Sequence, residues 1–241
     1  MNAYTRGLLR VVMIGMRLAS LFTGGKDSTY ATRLAEEAGD KVELLVTMYP
    51  RRMDSWMFHT VNIGLAPMVA KAFGIEQVIA ETSGEKEKEL DDLRRALDSL
   101  DIEGLVTGAI ASTYQRKRVD HICEELGLIH MAPLWGKDGF DLLREMISNG
   151  LFIIITAVAA YGLDETWLGR VLNEEAAEEL RTLNERFGVN VCGEGGEMET
   201  LVLDAPWFSK RLRIEKAKPI WDGLRGSYLI EEIRLQNKPG A

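Results

Sequence analysis

The chain has 241 residues, of which 46% are hydrophobic and 27% charged, and its formal net charge at pH 7 is −8. This length is sufficient for a buried core in one large α/β domain or two modest ones. The negative charge argues against broad, nonspecific nucleic-acid binding, which requires a positively charged surface.

The N-terminal 15 residues are expected to be either a mobile extension or the result of a misassigned start, because the first predicted strand begins only at Met16 or Arg17. The apolar stretch at 11–14 is too short for a secretory signal, and the longest apolar run, 151–160, is too short to cross a bilayer. Cys123 and Cys192 lie far apart without a C-x-x-C pattern, which is typical of cytosolic thiols. We therefore expect a cytoplasmic protein that does not bind membranes.

A glycine-rich loop follows the first predicted strand. The apolar run at 18–22 ends at the sequence Thr23-Gly24-Gly25-Lys26-Asp27-Ser28, after which apolar residues recur at helical spacing. Backbone N–H groups and the positive end of the helix dipole then meet at the loop, which favours a bound phosphate. Lys26 adds a mobile positive charge, and Thr23 and Ser28 add hydroxyl donors. A solvent-exposed turn is the alternative, but it does not explain why these residue types coincide.

Further strands are predicted at 42–48, 77–80, 104–107 and 128–131, alternating with helices at 56–73, 85–100 and 113–126. This alternation predicts an α/β domain with a doubly wound parallel sheet over residues 16–137. Ligands of such sheets lie at the carboxyl ends of the strands. Met48 is therefore a candidate wall for an adenine, although its spacing fits core packing better, and Gly108 leaves room for a ligand. His59 is either a structural or capping residue or a donor to phosphate.

The predicted helix at 113–126 begins close to a strand end. Ser112 is a candidate N-cap with Gln115 as its capping-box partner, and Gly127 ends the helix. Arg116 and Arg118 are either ordinary surface charges or ligands of a phosphate or a substrate carboxylate.

The pattern changes after residue 137. Helices at 141–148 and 174–187 and strands at 151–160, 201–203, 211–215 and 228–235 predict a second, smaller α+β domain over 138–241. The segment 191–200, VCGEGGEMET, fits neither a helix nor a strand core. Its glycines allow close approach of the backbone to a ligand, and its acids suit magnesium, an amine or a cationic substrate group. The alternative is a structural turn with solvated acids.

The loop TGGKDS resembles the SGGxDS loop of the PP-loop ATP pyrophosphatases, with Thr23 in place of the first serine. Three further segments, at 108–120, 142–147 and 191–200, together resemble the diphthine–ammonia ligase family over nearly the whole chain. That resemblance implies an adenine-nucleotide-hydrolase-like domain followed by a smaller family-specific domain. It also implies the reaction, in which ATP activates the carboxylate of diphthine on translation elongation factor 2 and ammonia then yields diphthamide, AMP and pyrophosphate.

The resemblance also implies roles for the residues. Lys26, the loop N–H groups and Mg²⁺ would neutralise the ATP phosphates, with Asp27 either near the metal or capping the helix. No other metal ligand is assigned. The assigned residues are Lys26, Gln115, Arg116, Glu194 and Glu197 for catalysis, Thr23, Gly24, Gly25, Lys26, Asp27, Ser28, Met48, His59 and Gly108 for ATP, and Tyr114, Arg118, Gly195, Gly196 and Glu199 for the substrate.

Two other functions are compatible with the same loop. One is a PP-loop enzyme that modifies tRNA, which commonly uses paired cysteines and a basic surface that this acidic chain lacks. The other is a sensor that binds an adenine nucleotide without cleaving it. The sequence leaves the oligomeric state open, including a homodimer.

Overall fold

The computed structural model describes residues 15–50, 62–85 and 88–238. All but the last residue of the expected N-terminal extension therefore lies outside the described residues, and so does His59. None of the helices in these three ranges is long and apolar enough to cross a membrane.

The first half of the chain forms a five-stranded sheet in which every neighbouring pair is parallel. Its order is β3-β2-β1-β4-β5, so the strand order reverses between β1 and β4. The strands are β1 (Arg17–Leu21), β2 (Lys41–Pro50), β3 (Glu76–Thr82), β4 (Gly104–Val106) and β5 (Ile129–Met131). The predicted parallel sheet is confirmed, and its switch point is where such sheets bind ligands.

Helices cover both faces of this sheet, as a doubly wound fold requires. Apolar residues of the first two helices pack in one buried cluster, and those of the next two pack in another. The helices are α1 (Lys26–Glu37), α2 (Ala66–Phe73), α3 (Lys88–Asp98) and α4 (Thr113–Leu126). The predicted caps of α4 are confirmed, because Ser112 Oγ accepts from Gln115 N and Gly127 ends the helix with a φ of 68°.

Residues 56–61 of the helix predicted at 56–73 lie outside the described residues, and in the part that is described the α-helix begins at Ala66. A short 3₁₀ turn at Ile63–Leu65 precedes α2, and Pro67 lies in the first turn of that helix. Proline is favoured there because the first-turn N–H groups have no partner within the helix. Pro67 therefore belongs to the start of a helix and does not interrupt one.

The second half forms an antiparallel sheet of order β7-β6-β9-β8, with two helices. These elements are α5 (Gly139–Ser148), β6 (Phe152–Val158), α6 (Glu174–Phe187), β7 (Met198–Asp204), β8 (Lys210–Trp221) and β9 (Gly226–Asn237). The predicted α+β type is confirmed, but β7, β8 and β9 are longer than expected. Pro219 is tolerated within β8 because this strand lies at the edge of the sheet.

The two halves share one hydrophobic core. Leu18 of β1 and Val69 of α2 belong to the same buried cluster as Leu201 of β7 and Ile230 of β9. The second sheet therefore packs against the side of the first sheet that carries α1 and α2. This contact brings β7 next to the loop that follows β1.

Candidate active site

A pocket opens at the carboxyl ends of β1 and β4, at the switch point of the parallel sheet. The loop 23–28, called here the phosphate loop, forms its floor together with the residues that follow β4. The start of α4 and residues 192–194 and 198–201 of the second half complete its wall. The pocket is thus built from three segments that are distant in sequence.

The phosphate loop is held closed by its own side chains. Ser28 Oγ lies 3.2 Å from both the amide N and the Oγ1 of Thr23, and it donates to Gly25 O over 3.2 Å. Gly24 has a φ of 79°, a conformation that glycine adopts without steric cost. The loop leads directly into α1, whose first N–H groups lack partners within the helix and suit an anion.

The second half of the chain is hydrogen-bonded directly to this loop. Val202 N of β7 donates to Gly24 O over 3.0 Å, and Lys26 N donates to Thr200 Oγ1 over 3.2 Å. Thr200 was not assigned from the sequence, although it ends the segment 191–200 that carries the family resemblance. The residues Met198 to Thr200 are part of β7, so the expectation that this whole segment avoids a strand is wrong for its last three residues.

Lys26 is not the mobile surface cation that the sequence indicated. Its side chain is buried, with 1% of the residue exposed, and Nζ donates to Cys192 O over 2.6 Å and to both oxygens of Asp27, over 3.0 and 2.8 Å. Burial alone lowers the pKa of Lys26, but the Asp27 carboxylate and the other polar groups around Nζ outweigh it, so the pKa is raised. Lys26 therefore stays charged at neutral pH and ties the phosphate loop to the second half.

Asp27 has a different local role from the cap considered above. The N-cap of α1 is Gly25, and the Asp27 carboxylate pairs with Lys26. The described residues contain no group of three or more His, Cys, Asp or Glu side chains placed to hold a metal ion. A magnesium ion at this pocket would therefore depend mainly on oxygen ligands from a bound polyphosphate.

Gly108 lines the pocket, as expected, and it is also required for packing. A Cβ at this position would lie 2.8 Å from both the Asp27 carbonyl carbon and the Ser28 amide nitrogen. The end of β4 and the phosphate loop thus touch through backbone atoms. This packing constraint adds to the prediction that a larger residue here would crowd a ligand.

Gln115 and Arg116, in the first turns of α4, line the pocket as expected. The Arg116 guanidinium stacks on the Trp135 ring at 4.3 Å, and its Nε lies 3.7 Å from Asp120 Oδ2. Stacking holds a long side chain in place and leaves its donors available. Arg118 stacks on Tyr114 at 3.5 Å, and neither residue lines the pocket.

The glutamates of the segment 191–200 separate into two groups. Glu194 and Glu199 line the pocket, whereas Glu197 does not and accepts instead from Gly195 N over 2.8 Å. Gly195 and Gly196 are exposed and also lie outside the lining. Met48 at the end of β2 is buried and contributes to the wall.

Glu194 joins the two halves at the mouth of the pocket. Its Oε1 accepts from Ile110 N and Ala111 N, each over 2.9 Å. The two amides precede α4, so this single carboxylate oxygen fixes the loop that carries Gln115 and Arg116 relative to the second sheet.

We expect Glu194→Ala to lower the free energy of unfolding by about 1 to 2 kcal/mol, because two amides lose their acceptor and water replaces it only in part. Glu194→Gln keeps an oxygen at the same position and is expected to retain most of the stability. Urea denaturation of both variants measures the difference. If both variants lost the same free energy of unfolding, the negative charge of Glu194, and not its pair of hydrogen bonds, would be what stabilises the fold.

An α/β nucleotide-binding fold with a glycine-rich phosphate loop at its switch point is the class that this geometry defines. The family model of the diphthamide synthase N-terminal domain matches residues 16–130, and that of the C-terminal domain matches residues 138–235. The chain belongs to the diphthamide synthase family, whose curated members here are diphthine–ammonia ligases.

Human diphthine–ammonia ligase is 35% identical over 228 residues, covering 85% of each chain. The Schizosaccharomyces pombe enzyme is 37% identical over 217 residues, and the match covers 82% of this chain but only 36% of that longer relative. A solved structure from Methanocaldococcus jannaschii, a "predicted subunit of tRNA methyltransferase", has a TM-score of 0.43 at 18% identity and covers 79% of this chain and 98% of that one.

Proposed function

We propose that this protein converts diphthine on translation elongation factor 2 into diphthamide, using ATP and ammonia and releasing AMP and pyrophosphate. The observation that carries the proposal is that two of the segments that resemble the family, 108–120 and 191–200, meet at one pocket. There Glu194 of the second segment accepts hydrogen bonds from two backbone N–H groups of the first. The identity to human diphthine–ammonia ligase supports it over most of the chain.

The reaction requires two steps. A carboxylate oxygen of diphthine attacks the α-phosphorus of ATP, the bond to pyrophosphate breaks, and an acyl-adenylate forms. Ammonia then attacks the acyl carbon, and AMP departs. The protein supplies mainly charge stabilisation and positioning, since negative charge develops on phosphate oxygens in the first step.

The ATP end of the pocket is assigned to residues 16–137. Thr23 N, Gly25 N and Lys26 N donate to side-chain hydroxyls. We assign the other N–H groups of the phosphate loop and the start of α1 to the β- and γ-phosphates, with the hydroxyls of Thr23 and Ser28 shaping the loop. Met48 is assigned to the adenine, and Gln115 and Arg116 to the α-phosphate or the target carboxylate. Mg²⁺ would shield the phosphate charge, and Asp27 is the carboxylate assigned beside it.

The substrate end is assigned to residues 138–241. Glu199 in the pocket wall supplies negative charge that attracts the quaternary ammonium of diphthine or an ammonium ion. We assign to the protein substrate, around the modified histidine, five residues that do not line the pocket: Glu197, Gly195, Gly196, Tyr114 and Arg118. We further propose that free ammonia is the nitrogen donor and that the protein acts in the cytoplasm, as a monomer or a homodimer.

The test is ATP cleavage by the purified protein with diphthine-carrying elongation factor 2, ammonium and Mg²⁺. The expected products are AMP and pyrophosphate, formed only with that substrate, together with the amide of diphthine by mass spectrometry. Release of ADP, or tight nucleotide binding without cleavage, would favour the sensor. Cleavage that depends on tRNA instead would favour a tRNA-modifying enzyme.

A sulfur-transfer reaction on tRNA would require a reactive thiol, and the two cysteines are poorly suited to it. Both are buried, and burial raises the pKa of Cys192 and of Cys123 to about 11. We expect iodoacetamide at pH 7.5 to label the native protein at least about 100-fold more slowly than the unfolded chain, because the thiolate is the reactive form. Mass spectrometry measures this, and labelling as fast as in the unfolded chain would contradict it.

A further inference from the structure

Three side chains form a hydrogen-bonded chain that ends at the pocket. Thr107, which follows β4, lines the pocket, and its Oγ1 lies 2.8 Å from His130 Nε2. His130 Nδ1 lies 2.5 Å from Asp120 Oδ1. The pairing of β4 with β5 places His130 beside Leu105, and this register brings the imidazole to the strand end.

The carboxylate at one end fixes the direction of the hydrogen bonds in the chain. The His130 side chain is only 6% exposed, and Thr107 is buried. A carboxylate accepts hydrogen bonds, so Asp120 takes the proton on Nδ1, and Nε2 is left to accept from the Thr107 hydroxyl. Asp120 Oδ2 also lies 3.7 Å from the Arg116 guanidinium. The lone pairs of Thr107 Oγ1 therefore form the pocket end of a chain leading to a base.

We propose that this chain, Thr107–His130–Asp120, takes the proton from the ammonium ion that becomes the nucleophile. The inference rests on the proposed function and deepens it. At neutral pH ammonia is mostly protonated and has no electron pair with which to attack. A site that already attracts cations with Glu199 concentrates this inactive form, and a base is needed to convert it.

An N–H bond of ammonium breaks as an O–H bond forms at Thr107 Oγ1, while the original hydroxyl proton moves to His130 Nε2. The Asp120 carboxylate stabilises the resulting imidazolium. The electron pair on nitrogen then attacks the acyl carbon, the C–O bond to AMP breaks with its pair on the phosphate oxygen, and the second nitrogen proton goes to solvent. His130 acts through Thr107 and is therefore a positioning residue.

Two nucleophiles test this role, because hydroxylamine is mostly unprotonated at pH 7 and needs no base before it attacks. With diphthine-carrying elongation factor 2, His130→Gln is expected to lose about 100-fold in the ammonium-dependent rate. Its hydroxylamine-dependent rate should stay within about twofold of wild type. The ammonium rate of the variant should recover as pH rises and free ammonia becomes available.

Matched variants exclude a merely structural effect. His121→Gln changes a histidine on α4 whose side chain is 71% exposed, and both of its rates should equal those of wild type. Thr107→Val should reproduce the selective loss for ammonium, and Thr107→Ser should restore the rate, because serine returns the hydroxyl. Urea denaturation of each variant verifies the fold.

Equal losses with both nucleophiles, or no loss in His130→Gln, would overturn the proton chain and leave the ligase reaction intact. If the wild-type protein forms no AMP with diphthine and either nucleophile, the proposed function fails, and the proton chain fails with it. A loss of rate with ammonium but not with hydroxylamine supports both the proton chain and the proposed function.

Discussion

Lys26→Met is expected to abolish ATP cleavage and to lower the free energy of unfolding by about 3 kcal/mol. Methionine fills the volume of the aliphatic part of lysine, so the loss of stability reflects the missing charge and not a cavity. The Asp27 carboxylate and Cys192 O would both lose the ammonium group that they share. The Asp27 side chain is 29% exposed and regains some hydration, which keeps the expected cost at the low end for a broken buried pair.

Activity falls in Lys26→Met because the phosphate loop loses its link to the segment 191–200. Urea denaturation and pyrophosphate release from ATP measure the two effects. Lys41→Met is the control, since Lys41 also pairs with an acid but its side chain is 73% exposed, and its stability should change by less than about 0.5 kcal/mol. A Lys26→Met variant that is as stable as this control would contradict the buried-pair assignment.

Gly108→Ala is expected to reduce ATP cleavage by about 100-fold, because a displacement of reacting groups by about 1 Å has effects of this size. The added methyl would lie 2.8 Å from backbone atoms of Asp27 and Ser28, and neither can rotate away as a flexible side chain can. The phosphate loop must therefore move away from β4. The pocket is expected to remain, but the N–H groups of the phosphate loop that suit an anion are expected to be displaced.

The measurement for Gly108→Ala is pyrophosphate release together with the affinity for ATP, and both are expected to fall. Gly64→Ala is the matched control, because Gly64 is exposed and the nearest atom to its added methyl, Tyr49 Oη, lies 3.9 Å away. If the Gly108 variant kept wild-type turnover, the backbone contact between β4 and the phosphate loop would not position the reacting groups.

The local features of the fold were accessible from the sequence. Ser112 and Gly127 predict the two ends of α4 because each satisfies backbone groups that the helix cannot. The alternation of strands and helices predicts the parallel sheet, because neighbouring parallel strands must be joined by a crossover, which is usually a helix. These signals depend on neighbours within a few residues.

The features that the sequence did not reveal depend on distant partners. Lys26 is buried because Cys192 O lies within reach, 166 residues further along the chain. His130 belongs to no motif, and only the register of β4 and β5 brings it to Thr107. The length of β8 depends on its position at a sheet edge, where Pro219 does not interrupt a ladder on both sides.

The hydrogen bond from Val202 N to Gly24 O has a consequence for how the protein is made. The phosphate loop leaves the ribosome well before the strand that supports it, which lies more than 170 residues further along the chain. Nascent chains that stop before β7 therefore carry the loop without its wall and without the carbonyl that holds Lys26. The complete wall of the pocket therefore forms only after β7 has been synthesised, so an intact pocket distinguishes chains that contain β7 from shorter ones.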